Sequence, residues 1–390
     1  MHWVKDTSEG LLYYCMPSVS KRFNSAKIAA FDLDHTIIKP ESGKTFPISV
    51  DDWIFAYKMD KLRYYSKKGY KIVIFTNQKG SFDGKGNMTF DEFMTRWFKI
   101  FESLNVPAYI LASTQDDFNR KPATRMWQFM KTNMNGDVKI NKKESLYVGD
   151  AAGRPKDHND CDIKFAINVG IPFMTPEEFF DDSTEYPFEK LRKNLKGFNP
   201  KLYMEEKDEL ELNHDSWREL EKGFRAIIMV GSPASGKSSL AHQICNISKN
   251  KCHILSMDIE KTKKKLKDKI KSILVNTNEN FIIDATNGTI KTRMEWIDII
   301  KSINPDIEII CVHVNVMKAL TIHLNKLRSI KSLIDSSYHS KEVPAVAIHA
   351  YWKRFEKPTL ETDKFSKIIE FDFEPNFATK EDKKHFSIWF

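Results

Sequence analysis

Short, almost wholly apolar runs that end on a carboxylate or a small residue, each followed by a helix-like stretch, recur along most of this 390-residue chain. In the first half they are Ile28–Phe31, Lys71–Phe75, Tyr109–Ala112 and Ser145–Val148, interleaved with helical patterns at Asp51–Lys67 and Phe90–Leu104. The second half repeats the grammar, with strands expected at Ala226–Val230, His253–Ser256, Phe281–Ile283 and Ile307–Val314 and helices at Lys237–Ile247, Asp258–Leu274 and Thr289–Ser302. A run that is apolar at every position suits a strand covered on both faces, and helical crossovers between such strands build parallel sheets. The fold class predicted is α/β, with two doubly wound parallel-sheet domains, since the length exceeds what one core usually supports. Charge-dense sequence with Pro187 and Pro200 and no clear strand lies between the halves. The expected division is a 1–24 segment packing on the first domain, a first domain at 25–190, a linker at 191–222 and a second domain at 223–390.

Composition excludes several classes. With 41% hydrophobic and 29% charged residues the chain is neither disordered nor membrane-embedded in pattern. Its five cysteines lie scattered in apolar stretches without CxxC spacing, which favours buried thiols over disulfides or zinc ligands. No leader-like or bilayer-length apolar run is present, so an intracellular monomer with no membrane partner is expected. A net charge of +8 tilts the surface potential toward polyanions.

Chemistry concentrates first at Ile28-Ala-Ala-Phe-Asp-Leu-Asp-His-Thr36. Asp32 and Asp34 follow an apolar strand, where active sites of open parallel sheets lie, and side chains two apart on an extended strand share a face. One carboxylate can attack phosphorus while the other protonates the leaving oxygen and then activates water. Anion attacking anion needs neutralisation. Thr76 and Asn77 at the end of the next strand can donate to phosphate oxygens, and Arg120 and Lys121 before Pro122 can supply positive charge. Asp150, after Tyr147-Val148-Gly149, can complete an oxygen cage for Mg2+ with Asp32 and Asp34.

A second constellation begins at Gly231-Ser-Pro-Ala-Ser-Gly-Lys-Ser238, a full GxxxxGK[ST] match between an apolar strand and a helix. Gly231, Ser232, Ala234, Ser235, Gly236 and Ser239 supply a loop whose N–H groups curl around phosphate, Lys237 bridges the outer phosphates of ATP, and Ser238 holds Mg2+. Asp258 is placed to take the proton of a substrate hydroxyl, and Asp284 reads as the acid near magnesium at the end of its strand. Arg293 and Arg328 are candidates for substrate phosphate and the transferring γ-phosphoryl, with Asn287 on the substrate side. The lysine-rich Lys261–Lys271 run reads as a solvated helix face, with phosphate-backbone tracking as the alternative.

The DxDxT signature at Asp32–Thr36, the strand-end Thr76, Lys121 and the Gly149-Asp150 pair resemble the haloacid-dehalogenase-like phosphatases. That resemblance implies Asp32 as nucleophile and Asp34 as acid/base; His35 departs from the glycine common there. Over a wider span the chain resembles the bifunctional polynucleotide kinase/3′-phosphatases. Segments carrying the likeness include Gly69–Gln78, Asn119–Pro122, Val148–Arg154, Asn168–Pro172 and Thr175–Phe180, then the P-loop, Ile283–Asn287 with Arg293, and His323–Arg328. This implies a haloacid-dehalogenase-like phosphatase domain followed by a P-loop kinase domain. It further implies DNA strand-break ends as substrate, a repair scaffold or ligase as partner, and a nuclear location, with mitochondrion or cytoplasm as alternatives. Met257, Ala285, Leu324 and Lys326 depart from the kinase pattern. Two other readings stay open: a second half that only binds nucleotide and nucleic acid, and end-healing of RNA with the same chemistry.

Overall fold

The computed structural model describes residues 4–6, 11–15, 23–81, 89–183, 185–207, 213–335 and 342–390. Its strands in chain order begin with β1 (Val4–Asp6), β2 (Leu11–Cys15), β3 (Ile28–Phe31), β4 (Ile38–Lys39), β5 (Ile54–Phe55), β6 (Lys71–Asn77), β7 (Ala108–Ser113), β8 (Leu146–Val148) and β9 (Phe173–Met174). Then follow β10 (Ala226–Val230), β11 (Cys252–Ser256), β12 (Asn280–Asp284), β13 (Ile309–Asn315) and β14 (Lys367–Asp372).

Two units account for the chain: residues 1–200 together with 387–390, and residues 201–386. The first is built on a sheet ordered β1-β2-β7-β6-β3-β8-β9. From β7 to β9 all neighbours are parallel, while β1 and β2 add an antiparallel edge through β2–β7 pairing. Alternate residues serve opposite faces: Ala29, Phe31, Ile72 and Ile74 enter one apolar cluster, Ile28, Ala30, Val73 and Phe75 the other. Burial on both sides is why these strands lack a polar alternation. The 1–24 stretch thus contributes sheet, but residues 1–3, 7–10 and 16–22 lie outside the described residues.

The second unit holds a wholly parallel sheet, β11-β12-β10-β13-β14. In each sheet the first strand of the parallel set, β3 or β10, lies inside the sheet with later strands on both sides. That reversal of winding leaves a crevice at the carboxyl end of the strand, the place where ligands bind in open α/β sheets. Both chemistry-bearing motifs leave the sheet there.

Several elements differ from expectation. The helix expected over Asp51–Lys67 forms only at Asp60–Lys67. Upstream, the Asp52 carboxylate accepts from Ser42 N (2.7 Å), Ser42 Oγ (2.7 Å) and Ile48 N (2.9 Å), and β5 pairs with β4, so the backbone is held extended. The helix expected over Asp258–Leu274 divides into Met257–Glu260 and Lys263–Asn276. Lys261 turns left-handed at φ 63°, and Ser256 and Thr262 each cap one segment, which are local alternatives that beat a continuous helix. The unit boundary falls inside the 191–222 stretch, which is helical at Pro200–Lys207 and His214–Glu221. Asn213 brackets Asp372 from both sides, accepting its N–H at 2.8 Å and donating to its carbonyl at 2.9 Å. Cys161, Cys245, Cys252 and Cys311 are free thiols. Among the described residues no helix is long and apolar enough to cross a membrane.

Candidate active sites

At the carboxyl end of β3, Asp32 is 8% exposed and anchored by its backbone N–H to the Val148 carbonyl at 2.9 Å. Lys121 reaches it from the loop after β7: Nζ lies 2.5 Å from Asp32 Oδ1, 2.7 Å from Asp162 Oδ1 and 2.8 Å from the Tyr147 hydroxyl. Asn77, closing β6, fixes this loop by accepting from Lys121 N (2.9 Å) and donating to Lys121 O (3.1 Å). Burial works against the Lys121 charge, but Asp162 and Asp32 outweigh it and hold the ammonium protonated well above its ordinary range.

Asp150, entering from the turn after β8, lies beside Thr36, whose Oγ1 accepts from Asp150 N at 3.1 Å and donates to its Oδ1 at 3.3 Å. Ligand atoms of Asp32, Asp150 and Asp162 all fall within 4.8 Å of one another. Burial pushes the Asp32 carboxyl well above its usual range; Lys121 opposes this, and Asp162, Asp150 and Asp34 reinforce it. Burial, with Asp162 next in weight, moves Asp150 up to about 7. Three carboxylates, two of them buried and Asp150 partly so, with one ammonium leave negative charge uncompensated, and the donor set is all oxygen; both features fit a hard divalent cation such as Mg2+. Asp162 already has both oxygens engaged, Oδ1 by Lys121 and the Tyr147 hydroxyl (2.9 Å) and Oδ2 by Ala151 N (3.1 Å). Its geometry therefore suits anchoring Lys121, leaving Asp32 and Asp150 as the open ligands.

The Asp34 carboxylate does not join this trio. Its Oδ2 instead accepts from Gln78 Nε2 at 2.7 Å, and the same amide donates to Thr76 Oγ1 at 2.8 Å. The turn that presents Asp34 is tight, with His35 N donating to the Ile38 carbonyl at 2.6 Å and His35 held at φ 59°. A glycine adopts that conformation without strain, which explains the departure at this position as a local cost rather than a changed site. Arg120 is half-buried with Nε 3.1 Å from Asp116 Oδ1, at the rim rather than among the carboxylates.

Sequence reading missed Asp162, Tyr147 and Gln78. Asp162 sits in an acid-rich stretch with Asp157 and Asp160, where nothing local singles it out. Tyr147 carried a signal, since a hydroxyl in a fully buried strand needs a partner.

In the second unit Gly231–Ser238 leaves β10 and enters helix Lys237–Ile247. Ala234 (φ 60°) and Gly236 (φ 89°) take left-handed conformations that curl the loop. A Cβ on Gly231 would sit 3.1 Å from the Val314 carbonyl and 3.2 Å from Ser235 Oγ, so the loop closes tightly at its base. Lys237 is buried and its Nζ donates to the Ser232 carbonyl at 2.6 Å. Burial lowers it to about 8, against the pull of Asp284 and Asp258 and with help from Arg328. Ser238 Oγ donates to Asp284 Oδ2 at 2.7 Å, bringing the hydroxyl and the acid at the end of β12 together as a magnesium site requires. Asp258 is exposed at the start of the Met257–Glu260 helix, and half-buried Arg328 lies on helix Lys318–Ile334. Ser239 is exposed in the first turn after the loop.

Two expected substrate contacts are corrected. Arg293 is fully buried, with Nε and Nη2 on the two Asp363 oxygens (2.7 and 2.9 Å) and Nη1 on the carbonyls of Asn287 (3.2 Å) and Glu356 (2.9 Å). Four of the five N–H donors are taken by these partners and the side chain is wholly buried, so the fork is not open to a ligand. Asn287 is also buried, donating to the Met229 carbonyl at 2.8 Å and accepting from Trp296 Nε1 at 3.2 Å, so it ties the P-loop strand to a helix.

Carboxylates at one switch point and a phosphate cradle at the other place the chain among two-headed phosphoryl-transfer enzymes, a phosphatase joined to a P-loop kinase. The family model described as polynucleotide kinase 3 phosphatase matches residues 27–180. A bifunctional polynucleotide phosphatase/kinase of Schizosaccharomyces pombe is 35% identical over 350 residues, covering 89% of this chain and 80% of that protein. The chain belongs to the bifunctional polynucleotide phosphatase/kinase family. A putative member from Acanthamoeba polyphaga mimivirus is 29% identical over 425 residues, with 98% and 93% of the two chains covered. The polynucleotide 3′-phosphatase ZDP of Arabidopsis thaliana is 38% identical over 178 residues, 42% of this chain and 25% of that protein.

Proposed function

We propose that the chain heals DNA strand breaks, removing 3′-phosphates in its first unit and phosphorylating 5′-hydroxyls with ATP in its second. One observation carries the reading: a single chain holds Lys121-paired Asp32 at one sheet's switch point and Lys237 with the Ser238–Asp284 pair at the other's. In the first reaction an Asp32 oxygen attacks phosphorus, the bond from phosphorus to the 3′ oxygen breaks, and Asp34 delivers the proton to that oxygen. Water then attacks the aspartyl-phosphate, Asp34 takes its proton, and inorganic phosphate leaves with Asp32 restored. Gln78 holds Asp34 for this exchange. A divalent ion at Asp32 and Asp150 would supply charge neutralisation for the attack of anion on anion.

In the second reaction the 5′-hydroxyl attacks the γ-phosphorus of ATP, Asp258 accepts its proton, and ADP leaves from the Gly231–Ser238 loop. Arg328, close enough to lower Lys237, adds positive charge where the phosphoryl group transfers. The products are the ends a ligase joins, which favours a ligase or its scaffold as partner and the nucleus as location. A nicked duplex carrying 3′-phosphate and 5′-hydroxyl, given magnesium and ATP, is expected to show both ends converted. Conversion of neither end overturns the reading, and faster turnover of matched RNA ends would move the substrate from DNA to RNA.

A further inference from the structure

Residues 387–390 follow the whole second unit in sequence yet belong to the first. Ile388 and Trp389 are 6% and 8% exposed, so the segment is packed rather than draped. Trp389 and Phe390 both make polar contacts with one helix, Cys161–Val169, whose first turn carries Asp162. Near the other end of that helix, Asn168 Oδ1 accepts from Trp389 N at 3.0 Å, and Asn168 Nδ2 donates to Trp389 O, also at 3.0 Å. One side chain thereby pairs with a backbone unit as a neighbouring strand would. Lys164, one turn earlier, donates to the Phe390 backbone oxygen at 2.8 Å, pairs with Asp160 at 2.9 Å and stands 5.7 Å above the Trp389 ring.

Asn168 makes a third bond that leads to the reacting groups. Nδ2 also donates to the Pro122 carbonyl at 3.0 Å, in the peptide unit next to Lys121. The helix therefore meets the Lys121 loop twice: Asp162 takes the ammonium, and Asn168 takes the adjoining backbone. The amide oxygen and nitrogen are both engaged, so the pairing with Trp389 fixes which way the amide faces, and that orientation puts an N–H on Pro122. Without Trp389 the amide is free to rotate toward solvent, and the register of helix against loop loses a fixed point.

We propose that segment 387–390, acting through Asn168, is a positioning element of the phosphatase site. It locks helix Cys161–Val169 against the Lys121–Pro122 loop and so holds the Lys121 ammonium between Asp32 and Asp162. The inference deepens the phosphatase reading above and rests on it. The bland alternative is that the four residues only cover an apolar face, in which case their loss lowers stability without changing turnover in the protein that remains folded.

The test compares the full chain with a variant lacking residues 387–390, with Asn168→Asp, and with Trp389→Phe. Asn168→Asp keeps the acceptor for Trp389 N and removes both donors; Trp389→Phe keeps the backbone pair and an aromatic ring. Truncation and Asn168→Asp are expected to cut kcat for 3′-phosphate removal by about 10²-fold with KM little changed, the scale of a slight misplacement of reacting groups. Kinase turnover should stay unchanged in both, and Trp389→Phe should match the unaltered chain in both activities. Amide hydrogen exchange in residues 117–125 and 146–169 should quicken in the truncated and Asn168→Asp proteins while residues 226–284 keep their protection. Unchanged kcat in truncated protein that remains folded overturns the inference, as does unchanged exchange or an equal loss in both activities. Exchange is read without substrate, so it decides the inference even if no 3′-phosphate is removed by the unaltered chain, the outcome that would instead overturn the phosphatase reading.

Discussion

Lys121 Nζ lies 2.5 Å from Asp32 Oδ1, with the lysine side chain 1% and the aspartate side chain 11% exposed, so the proposed nucleophile is presented already paired with a cation. Lys121→Met should lower 3′-phosphate hydrolysis by about 10²–10³-fold, the usual range for removing one charge-stabilising donor from a dry site. It should also destabilise the unit by about 3–5 kcal/mol, because Asp32 and Asp162 are left buried without their counter-charge. Adding Asp162→Asn should recover part of that stability without restoring turnover. Denaturant unfolding of the two single variants and the double variant, beside single-turnover rates, checks both statements.

Magnesium should stabilise the first unit whether or not substrate is present. At a hundredfold excess of the ion over its Kd, the gain expected is about 2.7 kcal/mol. Asp150→Asn should abolish it, since Asp150 and Asp32 are the carboxylates with coordination capacity to spare. Thermal unfolding with and without magnesium or a chelator measures this directly. A stabilisation that survives in Asp150→Asn would place the ion elsewhere.

Arg293 should behave as a structural residue. Replacing it with Gln leaves Asp363 buried with an unpaired charge and is expected to cost about 3–5 kcal/mol of the second unit's stability. The double variant with Asp363→Asn should be less destabilised than the two single effects added together. Where Arg293→Gln remains folded, KM for a 5′-hydroxyl end should be close to that of the unaltered chain; a large rise in KM would restore Arg293 as a substrate contact.

Acid should weaken the second unit through His323. Burial pushes this imidazole down to about 4, opposed by its bond to the Phe386 carbonyl at 3.0 Å. The unfolded chain binds a proton near pH 6.5 that the folded chain refuses until about pH 4. Stability is therefore fully present above the unfolded value and falls as pH drops from about 6.5 toward 4, by up to about 3 kcal/mol. His323→Gln, which cannot titrate, should flatten this slope in urea unfolding series between about pH 7 and pH 5.

Much of this arrangement was legible because burial on both faces of a parallel strand imposes an unbroken apolar run. Ile28–Phe31 and Ala226–Val230 form as read, and helix Lys237–Ile247 begins where the glycine loop says it must. Asp32, Lys121 and Asp150 meet because strand ends at a switch point converge. What was not legible depended on contacts between distant segments. Arg293 looks like a substrate ligand until Asp363, seventy residues later, occupies its fork. Asp162 is one acid among several until Lys121 selects it. The two hydrogen bonds of Asn213 to Asp372 and the return of residues 387–390 to the first unit leave no periodic trace at all.

The most direct test of two independent phosphoryl-handling sites in one chain is a nicked duplex labelled at both ends, incubated with Asp32→Asn and with Lys237→Ala. Asp32→Asn should phosphorylate the 5′-hydroxyl and leave the 3′-phosphate intact, and Lys237→Ala should do the reverse. Loss of both conversions in either folded variant would contradict the account.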